Sequence, residues 1–417
     1  MAAVAGTTQA TADQLAIRFD AVRRRTLDLC QSLAPEDCVV QSMPDVSPTK
    51  WHLAHVTWFF ETFVLTPRAS NYRPYDDSFA HLFNSYYNTA GTMHTRAKRG
   101  LITRPTLDTV VAYRAHVDAA VHTLLESDPS DEIAALIELG LQHEQQHQEL
   151  LLTDILHVLS VNPCEPTMRD DLTPAPETPA LALDWHETPG GLIDIGANAG
   201  DSDFCYDNET PRHRVLQRNH AIANRAVTNG EYLDFIQDGG YQQSTLWKSD
   251  GWSAVQQQDW HAPLYWDNDH TSVFTLGGRQ PIDWHAPVCH VSFYEADAFA
   301  RWAGMRLPTE SEWEQQARQH PVQGNFADTD IWRPAAGGTH WFGDVWEWTA
   351  SPYAAYPGFQ PLSGSLGEYN GKFMCNQMVV RGGSCFSAAD HLRATYRSFF
   401  YPDARWQALG LRLAKDL

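Results

Sequence analysis

At 417 residues the chain suits two or three domains, and its 43% hydrophobic content supports a sizeable buried core. A net charge of −21 excludes electrostatic steering onto a nucleic-acid backbone or an anionic membrane surface. Seven widely spaced cysteines without a C-x-x-C pair, no leader-like pattern in Met1–Thr11 and no run of about eighteen apolar residues point to a reduced, cytoplasmic protein without a membrane span.

Residues 12–161 read as a helical domain. The first helix is expected over Asp13–Leu33. The second starts at Ser47-Pro48, a capping residue followed by the proline favoured in a first turn, and continues to Leu65. The third runs from Thr106 to Glu126 and the fourth from Ser130 to Ser160. Four amphipathic helices fit a bundle. The long connection Thr66–Thr103 carries Tyr86, Tyr87 and a basic cluster containing Arg96 and Arg99. A connection of that length is more often functional than idle.

Helix four contains His143-Glu-Gln-Gln-His147, which places two imidazoles on one face. That stripe also holds Leu136, Gly140, Leu150 and Asp154 and is largely apolar, so it is expected to face the bundle interior. Buried imidazoles are costly unless partners or a metal satisfy them. Helix two offers His52 and His55 beside Trp51, Trp58 and Phe59, and on spacing alone either can be a third ligand. Three imidazoles suit Zn, Fe, Cu or Ni, and three protein ligands leave positions open for catalysis. The bland reading is a set of hydrogen-bonded core histidines. The same five residues also match the H-E-x-x-H pattern of zinc metallopeptidases, in which the glutamate is the general base.

Asn162–His186 holds five prolines and reads as a linker, residues 162–186. Residues 187–417 are rich in Gly, Trp and Tyr, with helices expected at Ser292–Ala303 and Thr309–Gln319 and short strands elsewhere.

Taken together, Ser47-Pro-Thr-Lys-Trp-His-Leu-Ala-His55 and His143-Glu-Gln-Gln-His147 resemble a DinB-type four-helix bundle. The second half carries Glu209-Thr-Pro-Arg-His-Arg-Val215, Arg306-Leu-Pro-Thr-Glu-Ser-Glu-Trp-Glu314, Gly343-Asp-Val-Trp-Glu-Trp-Thr349 and Arg381-Gly-Gly-Ser384. Those motifs are similar to the formylglycine-generating-enzyme (sulfatase-modifying factor) domain, a C-type-lectin-like architecture. The pair resembles the EgtB-like hercynine sulfoxide synthases. The implied fold class is α+β multidomain, a bundle followed by a lectin-like domain that forms part of the substrate pocket. The copper-binding cysteine pair of the formylglycine generators has no counterpart in His391–Phe400.

The resemblance implies an Fe(II) enzyme using O2 to form a carbon–sulfur bond on the imidazole of hercynine. It selects His55, with His143 and His147, as metal ligands. It makes Tyr87 or Tyr86 the catalytic phenol, and Gln146 a hercynine contact. Arg96 and Arg99 would hold the carboxylate of a thiol donor, cysteine or γ-glutamylcysteine. The segment Tyr396–Trp406 would close over hercynine, with Ser398, Phe399, Phe400 and Trp406 lining it. Ser398 stands where the sulfur enzymes usually carry Asn, which changes the hydrogen-bond inventory. It leaves a selenosugar donor, as in the related selenoneine synthases, as an alternative. A non-catalytic lectin-like binding protein is the third reading.

Overall fold

The helices form where hydrophobic periodicity places them. α1 (Ala12–Asp28) buries Leu15, Phe19 and Val22 on one face. α2 (Thr49–Phe59) is buried along its whole length and passes into one wide π-helical turn, Phe60–Leu65. α3 (Leu107–Glu126) is capped by Thr106, whose hydroxyl accepts from the Thr109 N–H. α4 (Asp131–Ser160) buries nearly every residue from Ala135 to Leu159. α1 packs on α3 and α4, and so does α2, as in a four-helix bundle. α4 approaches the π turn closely because residue 140 is glycine. A Cβ there would lie 2.5 Å from the Phe60 ring.

The computed structural model describes residues 12–127, 129–176, 178–198, 200, 204–338 and 341–417. The polar stretch 1–11 lies outside them. Two helix ends differ from the sequence reading. α1 stops at Asp28, and turns carry the chain on to Leu33. Ser47 does not cap α2: Pro48 takes the cap position, and the Ser47 hydroxyl accepts a hydrogen bond from Arg99. No helix among the described residues is long and apolar enough to cross a membrane.

By its contacts the chain divides into two units. The helical unit takes Met1–Asn162 together with Asn198–Asp207 and Gln360–Lys372. The second unit takes Pro163–Ala197, Asn208–Phe359 and Phe373–Leu417. The helical unit therefore recruits two loops from the second half of the sequence. The Pro-rich stretch read as a linker packs within the second unit. Its Met168 and Arg169 N–H groups donate to the Leu276 carbonyl at 3.0 and 3.2 Å, and Thr173 N–H donates to Asp330 at 2.9 Å. Prolines exclude a helix there, but the remaining N–H groups still find loop carbonyls.

The strands of the second unit, in chain order, are β1 (Trp185–Thr188), β2 (Gly191–Ile195), β3 (His213–Gln217), β4 (His220–Ala226), β5 (Ser272–Thr275), β6 (Gly278–Pro281), β7 (Trp346–Pro352), β8 (Met378–Arg381), β9 (Ser398–Phe400), β10 (Leu409–Gly410) and β11 (Arg412–Asp416). One sheet has the order β1-β4-β11 and another β10-β7-β8-β9, while β2-β3 and β5-β6 are ribbons. Helices at Phe293–Trp302 and Glu310–Ala317 match the sequence reading, and each opens with a capping box, Ser292 with Glu295 and Thr309 with Glu312. Helices at Asn229–Gln237 and Ser249–Gln258 go beyond that reading. The first carries the same signal, Thr228 with Glu231.

The motifs of this half serve its core. Arg412 makes three hydrogen bonds to the Glu347 carboxylate, which also accepts from the Trp313 indole N–H at 2.7 Å. Arg381 donates to Glu310 and Glu314, each at 3.0 Å.

Candidate metal centre

Helical spacing turns His143 and His147 to one face of α4, and α2 supplies His52 and His55. The structure brings His55, His143 and His147 together. One ring nitrogen of each lies within 4.8 Å of the others, and all three side chains are buried. His55 donates from Nδ1 to the Phe83 carbonyl at 2.6 Å, which leaves Nε2 for a metal. His52, the alternative ligand on spacing, stands behind His147 with their Nδ1 atoms 2.9 Å apart, and its Nε2 lies 3.0 Å from Asp154 Oδ2.

His143 differs from the other two. Neither of its ring nitrogens has a hydrogen-bond partner among the described residues. Leaving a buried polar group unsatisfied costs about 1–3 kcal/mol. Burial pushes the His143 imidazole down to about 3. Burial, and next the neighbouring His143, holds His55 and His147 well below the usual histidine range. The rings are therefore neutral, the form that ligates metals. Three neutral nitrogens, one of them orphaned, fit a divalent transition metal with open coordination positions.

An aromatic stack supports this cluster. Trp51 lies parallel to His55 with centroids 4.5 Å apart, and Trp58 follows at 5.5 Å. The Arg99 guanidinium sits 3.3 Å from the centre of the Trp51 ring. It donates to Ser47 Oγ at 2.8 Å and to Ser85 Oγ at 2.9 Å. Arg96 donates to the Tyr86 hydroxyl at 2.8 Å and to the Asp45 carbonyl. Neither arginine meets a carboxylate among the described residues.

Glu144 turns away from the histidines, about 100° round the helix from His143. Arg23 and Arg114 donate to it at 2.8 and 2.9 Å, and the Thr26 hydroxyl at 2.6 Å. Burial alone would raise this carboxyl, but the charges of Arg23 and Arg114 hold it at about 2. A carboxylate locked in that network is no general base, which removes the metallopeptidase reading.

His143 opens on a small, partly open pocket within the helical unit. Tyr87 and Phe59 line it, and so do Tyr206, Asp207, Leu366, Tyr369 and Asn370 from the two recruited loops. Tyr87 is buried, stacks over Tyr369 and touches Trp58 and Phe63. Tyr86 is not part of the lining. The Tyr369 hydroxyl donates to Gln146 Oε1. The recruited loop also fastens the Tyr87 turn. The Glu368 carboxylate accepts from the Asn88 N–H at 3.0 Å, the Thr89 N–H at 2.9 Å and the Thr89 hydroxyl. Lys372 reaches the Tyr86 carbonyl. The hydrogen bonds from Thr89, side chain first, hold the Glu368 carboxyl at about 2.

The remaining expected residues lie in the second unit. Ser398, Phe399 and Phe400 form β9, an edge strand paired to β8, rather than a loop. Phe399 stacks on Tyr353 with centroids 3.9 Å apart. Trp406 is half-buried in the turns that follow. Sequence reasoning missed Tyr206, Asp207, Glu368 and Tyr369. The one available signal was Gly364–Gly371, a glycine-bounded loop holding an acid and a tyrosine without core periodicity.

Two family descriptions match the chain. The DinB superfamily matches residues 18–151, and the sulfatase-modifying factor enzyme 1-like domain matches 184–341 and 332–417. The hercynine oxygenase of Mycolicibacterium smegmatis is 32% identical, with 97% of this chain and 98% of that protein covered. The formylglycine-generating enzyme of Streptomyces coelicolor is 30% identical over 55% of this chain and 88% of its own. The ergothioneine biosynthesis protein 1 of Schizosaccharomyces pombe is 26% identical over 51% of this chain and 28% of its own.

Proposed function

The chain belongs to the hercynine oxygenase family, and from that premise we propose that it is an Fe(II)- and O2-dependent enzyme joining a thiol donor to the imidazole of hercynine. The observation that carries the reading is the buried histidine triad, with His143 unpartnered among the described residues, on a cavity shared with the Tyr87 phenol. In the net reaction the imidazole loses a C–H and the donor an S–H. O2 supplies the sulfoxide oxygen and, with both hydrogens, one water. Fe(II), when bound by His55, His143 and His147, supplies the one-electron chemistry by which O2 oxidises both substrates, and acidifies a thiol.

The rest falls to the protein's own groups. Tyr87 holds a proton at Oη. Burial, and next the charge of Glu368, pushes its phenol upward, so it remains a proton source at neutral pH. Tyr87 is favoured over Tyr86, whose hydroxyl already receives Arg96. Gln146 and Tyr369 would orient hercynine, and an aromatic wall suits its quaternary ammonium. Arg96 and Arg99, lacking acidic partners among the described residues, suit a donor that brings a carboxylate, such as cysteine or γ-glutamylcysteine. Ser398, Phe399, Phe400 and Trp406 are assigned a substrate contact on the resemblance, and Ser398 is what favours a selenosugar donor as the second reading.

The test uses protein purified without oxygen and loaded with Fe(II). It receives O2, hercynine and, separately, cysteine, γ-glutamylcysteine and a selenosugar, with products read by mass spectrometry. A sulfur adduct with a carboxylate-bearing donor is expected. A hercynine adduct with the selenosugar alone would transfer the assignment to selenium. No adduct with any donor would sink both. A non-catalytic binding protein would show equal metal content in the parent and in His55→Ala.

A further inference from the structure

His52 lies outside the histidine triad, yet it is neither exposed nor idle. Its two ring nitrogens bridge His147 Nδ1 at 2.9 Å and Asp154 Oδ2 at 3.0 Å. All three side chains are buried. Asp154 Oδ2 also accepts the Ser47 N–H at 2.7 Å, which fixes the carboxylate against the start of α2.

Proton accounting leaves little freedom. One of the two facing Nδ1 atoms must carry the hydrogen. If neutral His52 carried it, the lone pair of its Nε2 would face the Asp154 carboxylate. Neutral His147 would then carry its hydrogen on Nε2 and could not ligate a metal there. With the hydrogen on His147 Nδ1, every contact closes. His147 donates to His52 Nδ1, His52 Nε2–H donates to Asp154, and His147 Nε2 is free for the metal.

We propose that His52 and Asp154 are positioning residues for the metal: a directed hydrogen-bond chain from His147 to a buried carboxylate that fixes the His147 tautomer and raises the donor strength of Nε2. The proposal rests on the metal-binding part of the functional reading and not on the substrate. Its chemistry is that of a carboxylate acting on a ligand histidine, here lengthened by one imidazole. The three candidate ligands are then unequal by construction. His147 is backed by a carboxylate through His52, His55 by the Phe83 carbonyl, and His143 by no hydrogen bond among the described residues.

The experiment measures Fe(II) affinity of the full chain by chelator competition without oxygen or substrate. The variants are Asp154→Asn, which keeps a hydrogen-bond acceptor, and His52→Phe, which keeps a ring. Both should bind Fe(II) about 10- to 100-fold more weakly than the parent. The reduction potential of the bound iron should also rise in Asp154→Asn, a shift that a packing role would not produce. Metal-free melting curves show that each variant is folded. His52→Leu and Asp154→Ser replace any variant that is not. Affinity within twofold of the parent in folded variants at both positions overturns the proposal. So does weakening at position 154 alone, which would trace the effect to the Ser47 anchor. Failure of the parent itself to bind Fe(II) would sink the functional reading, a separate outcome.

Discussion

Both units bury strongly polar groups, and Glu310 and Glu314 in the second unit contrast with His143 in the helical one. In the second unit Glu310 and Glu314 are met by Arg381, and Glu310 also by Arg397 at 2.9 and 3.1 Å. In the helical unit His143 is just as deeply buried, and both of its ring nitrogens lack partners among the described residues. The first arrangement closes within the chain and holds a fold together. The second is left open, as the proposed metal site requires.

The strongest way to break that contrast is His143→Leu. Iron content and activity should fall to background, while the metal-free protein melts within about 1 kcal/mol of the parent or above it, because two unsatisfied nitrogens are gone. Marked destabilisation of the metal-free variant would mean that His143 is an ordinary core residue. The reciprocal change, Arg381→Met, should cost about 3–5 kcal/mol in a urea titration, because Glu310 and Glu314 lose a partner they share. An unchanged midpoint would show that this network is dispensable. Tyr87→Phe should lower sulfoxide formation about 100-fold or more, with iron affinity unchanged. Tyr86→Phe should leave that rate within a fewfold, and a reversal of the two would move the proton donor. The smallest effect is expected from Glu368→Ala, about a tenfold loss of kcat through misplacement of the Tyr87 turn. Glu368→Asp should recover part of it if placement is the cause.

Linkage gives Glu368 a pH signature. Its folded-state carboxyl is held at about 2, below its ordinary value near 4.5. The stability it contributes is therefore present above the ordinary value and is lost as pH falls through that window toward 2. No step from Glu368 should appear in the rate profile at neutral pH.

The histidine set is legible in the sequence because a helix reports its own geometry. Residues four apart share a face, so spacing alone groups His143 with His147. The choice between His52 and His55 is not legible, since it depends on which ring meets Asp154 across the bundle. Glu144 misleads for a related reason. Its motif fits a peptidase, but its partners Arg23 and Arg114 lie on other helices. The cavity wall is the least visible part. Tyr206 and Tyr369 sit amid residues of the second unit in chain order, and only long-range contacts return them to the helical one. The same holds for the Pro-rich stretch, whose composition excludes a helix without showing where its N–H groups pair.

The two recruited loops also bear on how this protein can be divided. A truncation ending at Asn162 would retain His52, His55, His143 and His147, together with Tyr87. It would lack Tyr206, Asp207, Tyr369 and Asn370, and with Glu368 the fastening of the Tyr87 turn. Domain borders drawn along the sequence therefore cut through the cavity beside His143, and gene fragments split at that border would separate the histidine triad from its enclosure.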